Sequence, residues 1–369
     1  MIREGRIGTF ETVMVLLFPT LGKIYLSYAA DLIKENLSAA WLVVLLGCLA
    51  AAAMFIPLAA LLRRFPGEDL VGIAGHSLGP FLGGLAAGFV VLFIFFGTVV
   101  TLRQIGETVV GTALPQAPLL LMTATFAAIM ALTGRWGLEA AARVASLAVP
   151  YLLIGGSALL LMQLPNMKAD YLAPFWGPGA GKLALNGLLR SSVLSELVLL
   201  AFIAPAVARK KIVPSGVYLI ILATIILAGT MLIGQMIFPP SVAAENTFPF
   251  YEIARSIYFG RFYQRVEFLF LLVWIVMTMF SLTVRFYFFV TAFAKIFKLP
   301  YYQPLVPLAA LLTLGAALIF PDYTATVYWD NLIRGRWAWV PAFAAPAFIY
   351  CIAVLRGKRG NDASNSTQE

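Results

Sequence analysis

The side chains able to do chemistry lie inside apolar stretches. Glu196 follows Ser191, Ser192 and Ser195 and stands among Leu194, Leu197 and Val198. A carboxylate in that setting is costly unless it is paired or protonated. Two readings are open: a ligand contact or proton-responsive group, or the structural partner of a buried cation. Lys23, inside an earlier apolar run, is the obvious cation, unless it snorkels to the outer headgroups. Glu11 and Arg285 form a second possible pair toward the opposite face, unless each reaches the interface separately. Thr98, Thr101, Thr278, Ser281 and Thr283 add hydroxyls, most of which are expected to bond to their own helices. Arg103 and Glu107, four residues apart, are expected to form a surface pair.

Other chemistries find no support. No G-x-x-x-x-G-K-[ST] motif occurs, so intrinsic ATP drive is not expected. No nucleophile and base share a specific spacing, which argues against an enzyme. His76 is the single histidine, and Cys48 and Cys351 lie far apart in apolar segments. Neither a metal centre nor a disulfide framework is expected, and no cofactor is implied.

These residues need elements to hold them, and composition says which. Of 369 residues, 61% are apolar and 12% charged. Soluble domains carry about a quarter of their residues as charges. Mean hydropathy is +0.91. A bilayer core of about 30 Å needs about 20 apolar residues per helix. Runs of that length fall at about 7–29, 39–62, 81–103, 117–134, 140–163, 186–207, 214–237, 266–291, 303–320 and 337–355. Arg3 and Arg6 precede the first, which is too long for a cleavable leader and is read as a span. The expectation is one all-α transmembrane domain over residues 1–356, with ten helices and a disordered tail over 357–369.

Net charge is +9, with basic residues at the ends of apolar blocks rather than in a nucleic-acid-binding patch. Arg3, Arg6, Arg63, Arg64, Arg135, Arg143, Arg209, Lys210, Lys211, Lys295, Lys298, Arg356, Lys358 and Arg359 crowd short loops on one side. Lys34, Lys168, Lys182, Arg190, Arg255, Arg261, Arg265, Arg334 and Arg336 are spread over longer connections on the other. The positive-inside rule puts the first set, and both termini, in the cytoplasm. In the outer loop over 238–265, Phe250, Ile253, Ala254 and Ile257 share a helical face and predict a short surface helix.

Five spans precede the outer loop at 164–185 and five follow it. Halves with an odd number of spans enter the membrane from opposite sides, which is the arithmetic of a five-plus-five inverted repeat, here about 7–163 and 186–355. The first helix of each half is then the place for a site. Span one is interrupted at Phe18-Pro19-Thr20-Leu21-Gly22, where a donor is missing and a glycine weakens the helix. Span six carries the serines and Glu196. Thr20, Leu21, Gly22 and Lys23, with Thr98, Ser192, Ser195, Glu196, Thr278 and Ser281, are expected to border a small ligand cavity. Lys23 with Glu196, and Glu11 with Arg285, are the expected ion pairs. Gly79, Gly83, Gly84 and Gly88 enter span three at G-x-x-x-G spacings that permit close packing.

Four stretches together resemble the spore-germination permease family, the B subunit of GerA-type nutrient germinant receptors in the amino acid–polyamine–organocation superfamily. They are Arg64-Phe65-Pro66-Gly67 with Leu70, Val71, Ile73 and Ala74; Arg103 ahead of Leu114-Pro115 and Pro118; Glu196-Leu197-Val198-Leu199-Leu200; and the series Pro249, Glu252, Ala254, Arg255, Gly260, Phe262, Arg265, Glu267 and Trp274, continued by Phe297, Leu299, Tyr302 and Pro304. The family pattern in the first span, Gly-x-Gly with a following Leu-Pro, is replaced here by Leu21-Gly22-Lys23-Ile24-Tyr25-Leu26-Ser27, and Gln303 stands where an arginine is common. The resemblance implies a leucine-transporter-like fold and a small nutrient, amino acid-like or another polar metabolite, bound near the midplane. It further implies assembly with an A-type subunit and a lipoprotein C-type subunit in the spore inner membrane. A proton-coupled amino acid transporter acting alone, and a scaffold with an occluded core, are the other readings.

The charge pattern predicts sidedness. In a variant lacking Cys48 and Cys351, cysteines placed at Asn166 and Asn246 are expected to react with an impermeant maleimide in intact cells. Those placed at Arg135 and Lys210 should react only after permeabilisation. The reverse pattern would overturn the ten-span assignment.

Overall fold

The structure, a computed structural model, describes residues 5–22, 28–246, 248–257 and 266–360. Arg3, Lys23, Arg261, Arg265 and tail residues 361–369 lie outside the described residues. Regular structure among those described is helical apart from one parallel bridge between Ile7 and Val207.

Helix α1 (Thr9–Leu21) has 13 residues, about 20 Å at 1.5 Å per residue, too short to cross alone. Gly22 after it and Tyr28 ahead of helix α2 (Ala29–Asn36) both keep right-handed helical angles. Then come α3 (Ala40–Arg64), α4 (Leu70–Leu78), α5 (Pro80–Thr112), α6 (Leu119–Gly134) and α7 (Gly137–Leu161). After two short 3-10 turns the second half opens with an irregular helix. Helix α8 (Ala180–Leu189) tightens into 3-10 geometry over Arg190–Leu199 before α9 (Leu200–Ile203), and Leu194 has non-helical backbone angles. The remainder is α10 (Arg209–Gln235), α11 (Pro240–Glu245), α12 (Pro249–Arg255), α13 (Glu267–Ile296), α14 (Leu305–Leu318) and α15 (Tyr323–Asp330). Two π-helical stretches, Asn331–Trp337 and Val340–Ala344, lead into α16 (Ala345–Leu355).

Among the described residues, seven helical stretches are long and apolar enough to cross a membrane, and Thr9–Leu21, Leu119–Gly134 and Leu305–Leu318 are shorter apolar helices. Seven and three make the ten expected from the sequence. Helix α1 is buried from Thr12 to Leu21 and packs against α7, α10 and α13. Ile56, Phe81, Leu147, Tyr151, Ile225 and Leu308 are exposed around the outside. That much apolar surface fits a chain solvated by lipid. Helix α12 is the expected surface helix, with Phe250, Ile253, Ala254 and the following Ile257 all buried.

Two sequence-derived boundaries are corrected. Helix α5 runs nine residues past Arg103, because Arg103 is neutralised inside the fold by Glu107 at 2.6 Å and is buried instead of exposed. The last span begins at Tyr323 and not near 337. Arg334 and Arg336, read as loop residues, lie within it because acidic partners hold them there. Cys351 is exposed on the outer wall, whereas Cys48 is buried.

The glycines entering α5 are not equivalent. Gly79 turns the chain between α4 and α5 at φ +91°, a conformation other residues rarely adopt. A Cβ on Gly83 would sit 2.6 Å from the Ala74 carbonyl carbon and 2.7 Å from Gly75 Cα, both unyielding backbone, while one on Gly84 would meet nothing within 4 Å. Gly83→Ala is therefore expected to destabilise by about 1–3 kcal/mol through overpacking. Gly84→Ala should be neutral or stabilising by up to ~1 kcal/mol. Thermal unfolding in detergent reads the difference, and equal midpoints would show that this contact does not constrain α4 against α5.

Candidate functional site

The C-terminal end of α1 and the irregular stretch of span six meet at one buried guanidinium. In a helix ending at Leu21 the last four carbonyls have no intrahelical donor. Gly22 N–H serves Phe18 O at 3.0 Å, and Arg285 Nη2 donates to Pro19 O at 2.7 Å. The cation thus caps the end of α1, where the helix dipole is negative. The same Nη2 donates to Glu196 Oε1 at 2.8 Å, on the 3-10 stretch beside the break at Leu194. Arg285 Nη1 donates to Thr101 Oγ1 of α5 at 3.1 Å. One side chain on α13 therefore joins α1, span six and α5 in the protein interior.

A second arginine lies alongside. Arg334, in the π-helical stretch, donates through Nη1 to the same Thr101 Oγ1 at 3.1 Å and clasps Asp330 with Nε and Nη2, the latter at 2.8 Å. Gln104 Nε2 adds a bond to Asp330 Oδ2 at 3.1 Å. Thr101 can serve two donors because a hydroxyl oxygen has two acceptor lone pairs. Gly97 makes the room: its Cβ position would lie 3.4 Å from Arg334 Cδ and 3.8 Å from Arg285 Cδ. Among the described residues, two buried cations are matched here by two buried carboxylates. π-Helical turns frequently mark functional sites, and here one carries Arg334.

Near α2 a separate pair of arginines shares one carboxylate. Arg190 Nη2 donates to Glu35 Oε2 at 2.7 Å, and Arg336 Nη2 bonds Glu35 Oε1. The Arg190 guanidinium also stands over the Tyr28 ring, 5.3 Å from its centroid. Tyr28 Oη, Asp31 Oδ2, Arg190 Nη1, Ser191 Oγ and Ser281 Oγ are buried without a hydrogen-bond partner among the described residues. Such groups ordinarily find water or a ligand.

The predicted site residues divide accordingly. Glu196 and Arg285 come together, so Arg285 pairs with Glu196 and not with Glu11. Glu11 caps its own helix instead, accepting from Gly8 N–H at 2.9 Å. Lys23, the expected partner of Glu196, lies outside the described residues. Leu21 is buried at the end of α1, and Gly22 faces Ser281, whose Oγ would be 3.6 Å from a Cβ there. Thr20, Thr98 and Thr278 are buried and bond back to Leu16, Ile94 and Trp274 carbonyls, as hydroxyls in apolar helices tend to. Ser192 reaches across to Gly335 O. Ser195 is buried beside Glu196. Sequence reasoning missed Thr101 as an acceptor, and missed Gln104, Asp330 and Arg334. The available signals were the Asp330/Arg334 spacing of four and a glutamine inside an apolar helix.

Comparison with known proteins places this geometry. The family described as Spore germination protein matches residues 6–322. Spore germination protein KB of Bacillus subtilis (strain 168) is 22% identical over 97% of this chain and 97% of its own length. Among solved structures, MhsT in complex with L-phenylalanine is similar with a TM-score of 0.66 at 18% identity, covering 97% of this chain and 91% of that one. Mhp1, a nucleobase-cation-symport-1 family transporter with bromovinylhydantoin bound, is similar with a TM-score of 0.63 at 15% identity, covering 89% and 75%. These likenesses establish a transporter fold.

Removing one member of a buried ion pair typically costs about 3–5 kcal/mol. Glu196→Gln and Arg285→Met should each fall in that range, with Arg285→Met the larger because it also uncaps Pro19 O. The double variant should be less destabilised than the sum by roughly 0.5–3 kcal/mol. Strict additivity in chemical or thermal unfolding would mean the two side chains are not energetically coupled. Adding Lys23→Met to the cycle reports whether the lysine shares the carboxylate.

Proposed function

This chain belongs to the spore germination protein family, and from that premise we propose that it is the membrane subunit of a germinant receptor. In this reading it binds a small nutrient near the bilayer midplane and signals germination. It works with A-type and lipoprotein C-type subunits in the spore inner membrane or bacterial cell membrane, with both termini in the cytoplasm. The observation that carries the proposal is the meeting of the end of α1, the irregular stretch of span six and the Glu196–Arg285 pair at one buried point. Irregular backbone and charge at that depth are tolerated where they serve a ligand or an ion. Arg285 and Glu196 already satisfy each other, so a ligand enters by exchange: its anionic group takes the place of Glu196 on Arg285, or its cationic group takes Glu196 from Arg285.

The buried unpartnered atoms Tyr28 Oη, Ser191 Oγ, Arg190 Nη1 and Ser281 Oγ favour a polar ligand over a hydrocarbon one. The related transporter MhsT holds L-phenylalanine and Mhp1 holds a hydantoin, both small molecules with polar heads. That likeness also keeps a second reading, a proton-coupled amino acid transporter acting alone. Uptake by the reconstituted chain without other subunits would favour it.

A thermal-shift screen of the purified chain against amino acids, sugars and nucleosides is expected to return a stabilising nutrient. Gly22→Leu, whose side chain would run into Ser281, should fold yet lose that shift. An undiminished shift in Gly22→Leu would remove the ligand from the end of α1, and the absence of any stabilising nutrient would favour a non-binding scaffold.

A further inference from the structure

The Arg103–Glu107 pair stands at the wall of a second cavity. Arg103 is buried. Its Nε donates to Glu107 Oε1 at 2.7 Å, and its Nη2 reaches Pro321 O at 3.5 Å. The guanidinium thus holds one oxygen of the carboxylate and the turn ahead of α15. The other oxygen, Glu107 Oε2, is buried and has no hydrogen-bond partner among the described residues. Glu107 lines a cavity of about 320 Å³.

Four elements meet around that space. Helix α5 supplies Glu107, Val110 and Gly111 from its last turns, and α6 supplies Leu119. Phe248 stands directly ahead of α12, and Tyr323 opens α15. The two rings pack with centroids 5.3 Å apart and planes inclined at 57°. Tyr323 Oη, like Glu107 Oε2, is buried without a hydrogen-bond partner among the described residues. Such oxygens ordinarily find water or a ligand.

Charge decides which ligand fits. An ionised carboxylate oxygen only accepts, so the group it lacks is a donor. Asp322 adds a second negative charge that acts on Glu107, against the one guanidinium of Arg103. The negative end of the α5 dipole falls at Thr112, beside Gly111, whereas Asp322 caps the positive end of α15 by accepting from Ala325 N–H at 2.7 Å. An aromatic face attracts a cation as well. A divalent metal ion is a poor match, because it takes about six oxygen ligands. The side chains here offer one carboxylate and one phenol beside Val110, Leu119 and Phe248.

We propose that this cavity binds a small primary ammonium ion carrying an apolar body. Its N–H groups donate to Glu107 Oε2 and Tyr323 Oη, and the body lies against Phe248, Leu119 and Val110. From Thr101 to Glu107 helix α5 rises about 9 Å at 1.5 Å per residue. The site is therefore separate from the Glu196–Arg285 centre and does not rest on the nutrient reading.

The test is isothermal titration calorimetry on the full-length chain in detergent at neutral pH, with phenethylamine and its uncharged counterpart phenethyl alcohol. The ammonium should bind about tenfold more tightly or better, the worth of one charge-assisted hydrogen bond. Glu107→Gln would strand the buried Arg103, so two other variants carry the comparison. A Cβ on Gly111 would meet nothing within 4 Å. Gly111→Leu therefore enters the cavity with the Arg103–Glu107 pair left in place, and should remove most of the ammonium binding without lowering the melting temperature. Tyr323→Phe, which keeps the ring, should weaken binding by about threefold to tenfold. Equal affinity for amine and alcohol, or undiminished amine binding in both variants, would overturn the proposal. Photolabelling with azidophenethylamine locates the amine. Adducts between Glu107 and Leu119, or beside Phe248, support the cavity; adducts on α1 or span six assign the amine to the Glu196 centre and overturn it.

Discussion

Everything at the centre of this bundle depends on how one buried guanidinium is satisfied. Arg285 could not be held in hydrocarbon alone, since an isolated charge there is far too costly. Its neighbours are what the fold must supply: the exposed carbonyl of Pro19, the carboxylate of Glu196 and the hydroxyl of Thr101. Each comes from a different helix, so satisfying Arg285 fixes where α1 ends, where span six kinks and how α5 is rotated.

The second row of charges follows from the first. Two arginines meeting at Thr101 repel, and the protein holds them by giving each its own carboxylate, Glu196 and Asp330. Buried ion pairs contribute little net stability against an apolar replacement, because desolvation offsets the attraction. Their consequence here is geometric. A row of paired charges in a low dielectric has few alternative arrangements, since any shift that separates one pair leaves a bare charge behind. A ligand able to substitute for one member of the row supplies such an alternative, and that is the property a nutrient sensor or a transporter needs.

Much of the architecture was legible in the sequence because the bilayer imposes a length and a polarity on every span. The buried face of α12 came from helical periodicity, whereas the interruption expected over Phe18–Gly22 is not found there: α1 stays helical through Leu21 with Pro19 inside it. The misplaced boundaries share one cause. Counting apolar residues stops at a charge, so α5 was ended at Arg103 and the last span was begun after Arg336. In the fold those arginines are neutralised by Glu107 and Glu35, and the helices run through them. Arg285 was seen as a buried cation but was given Glu11, because sequence depth alone does not reveal that Glu11 is occupied at its own helix terminus. The partner of a buried charge is set by which faces meet, and a single sequence does not contain that.

Helices α1 and α2 are tied to span six at three places, and this bears on what can move. At the start of α1 Ile7 N–H donates to Ala206 O at 3.0 Å, joining it to the end of span six. At the end of α1 Arg285 links Pro19 O to Glu196. Beyond it Arg190 of span six holds Glu35 of α2. A rearrangement that kept all three would carry these helices as one body against α3, α5 and α10. One that opened the site at either end must break the tie at that end, and the ties differ in strength. The tie at Ile7 is a single neutral backbone bond, worth about 0.5–1.5 kcal/mol, whereas the tie at Glu35 is a charge-assisted pair that Arg336 reinforces. The end at Ile7 is therefore the one that separates at lower cost.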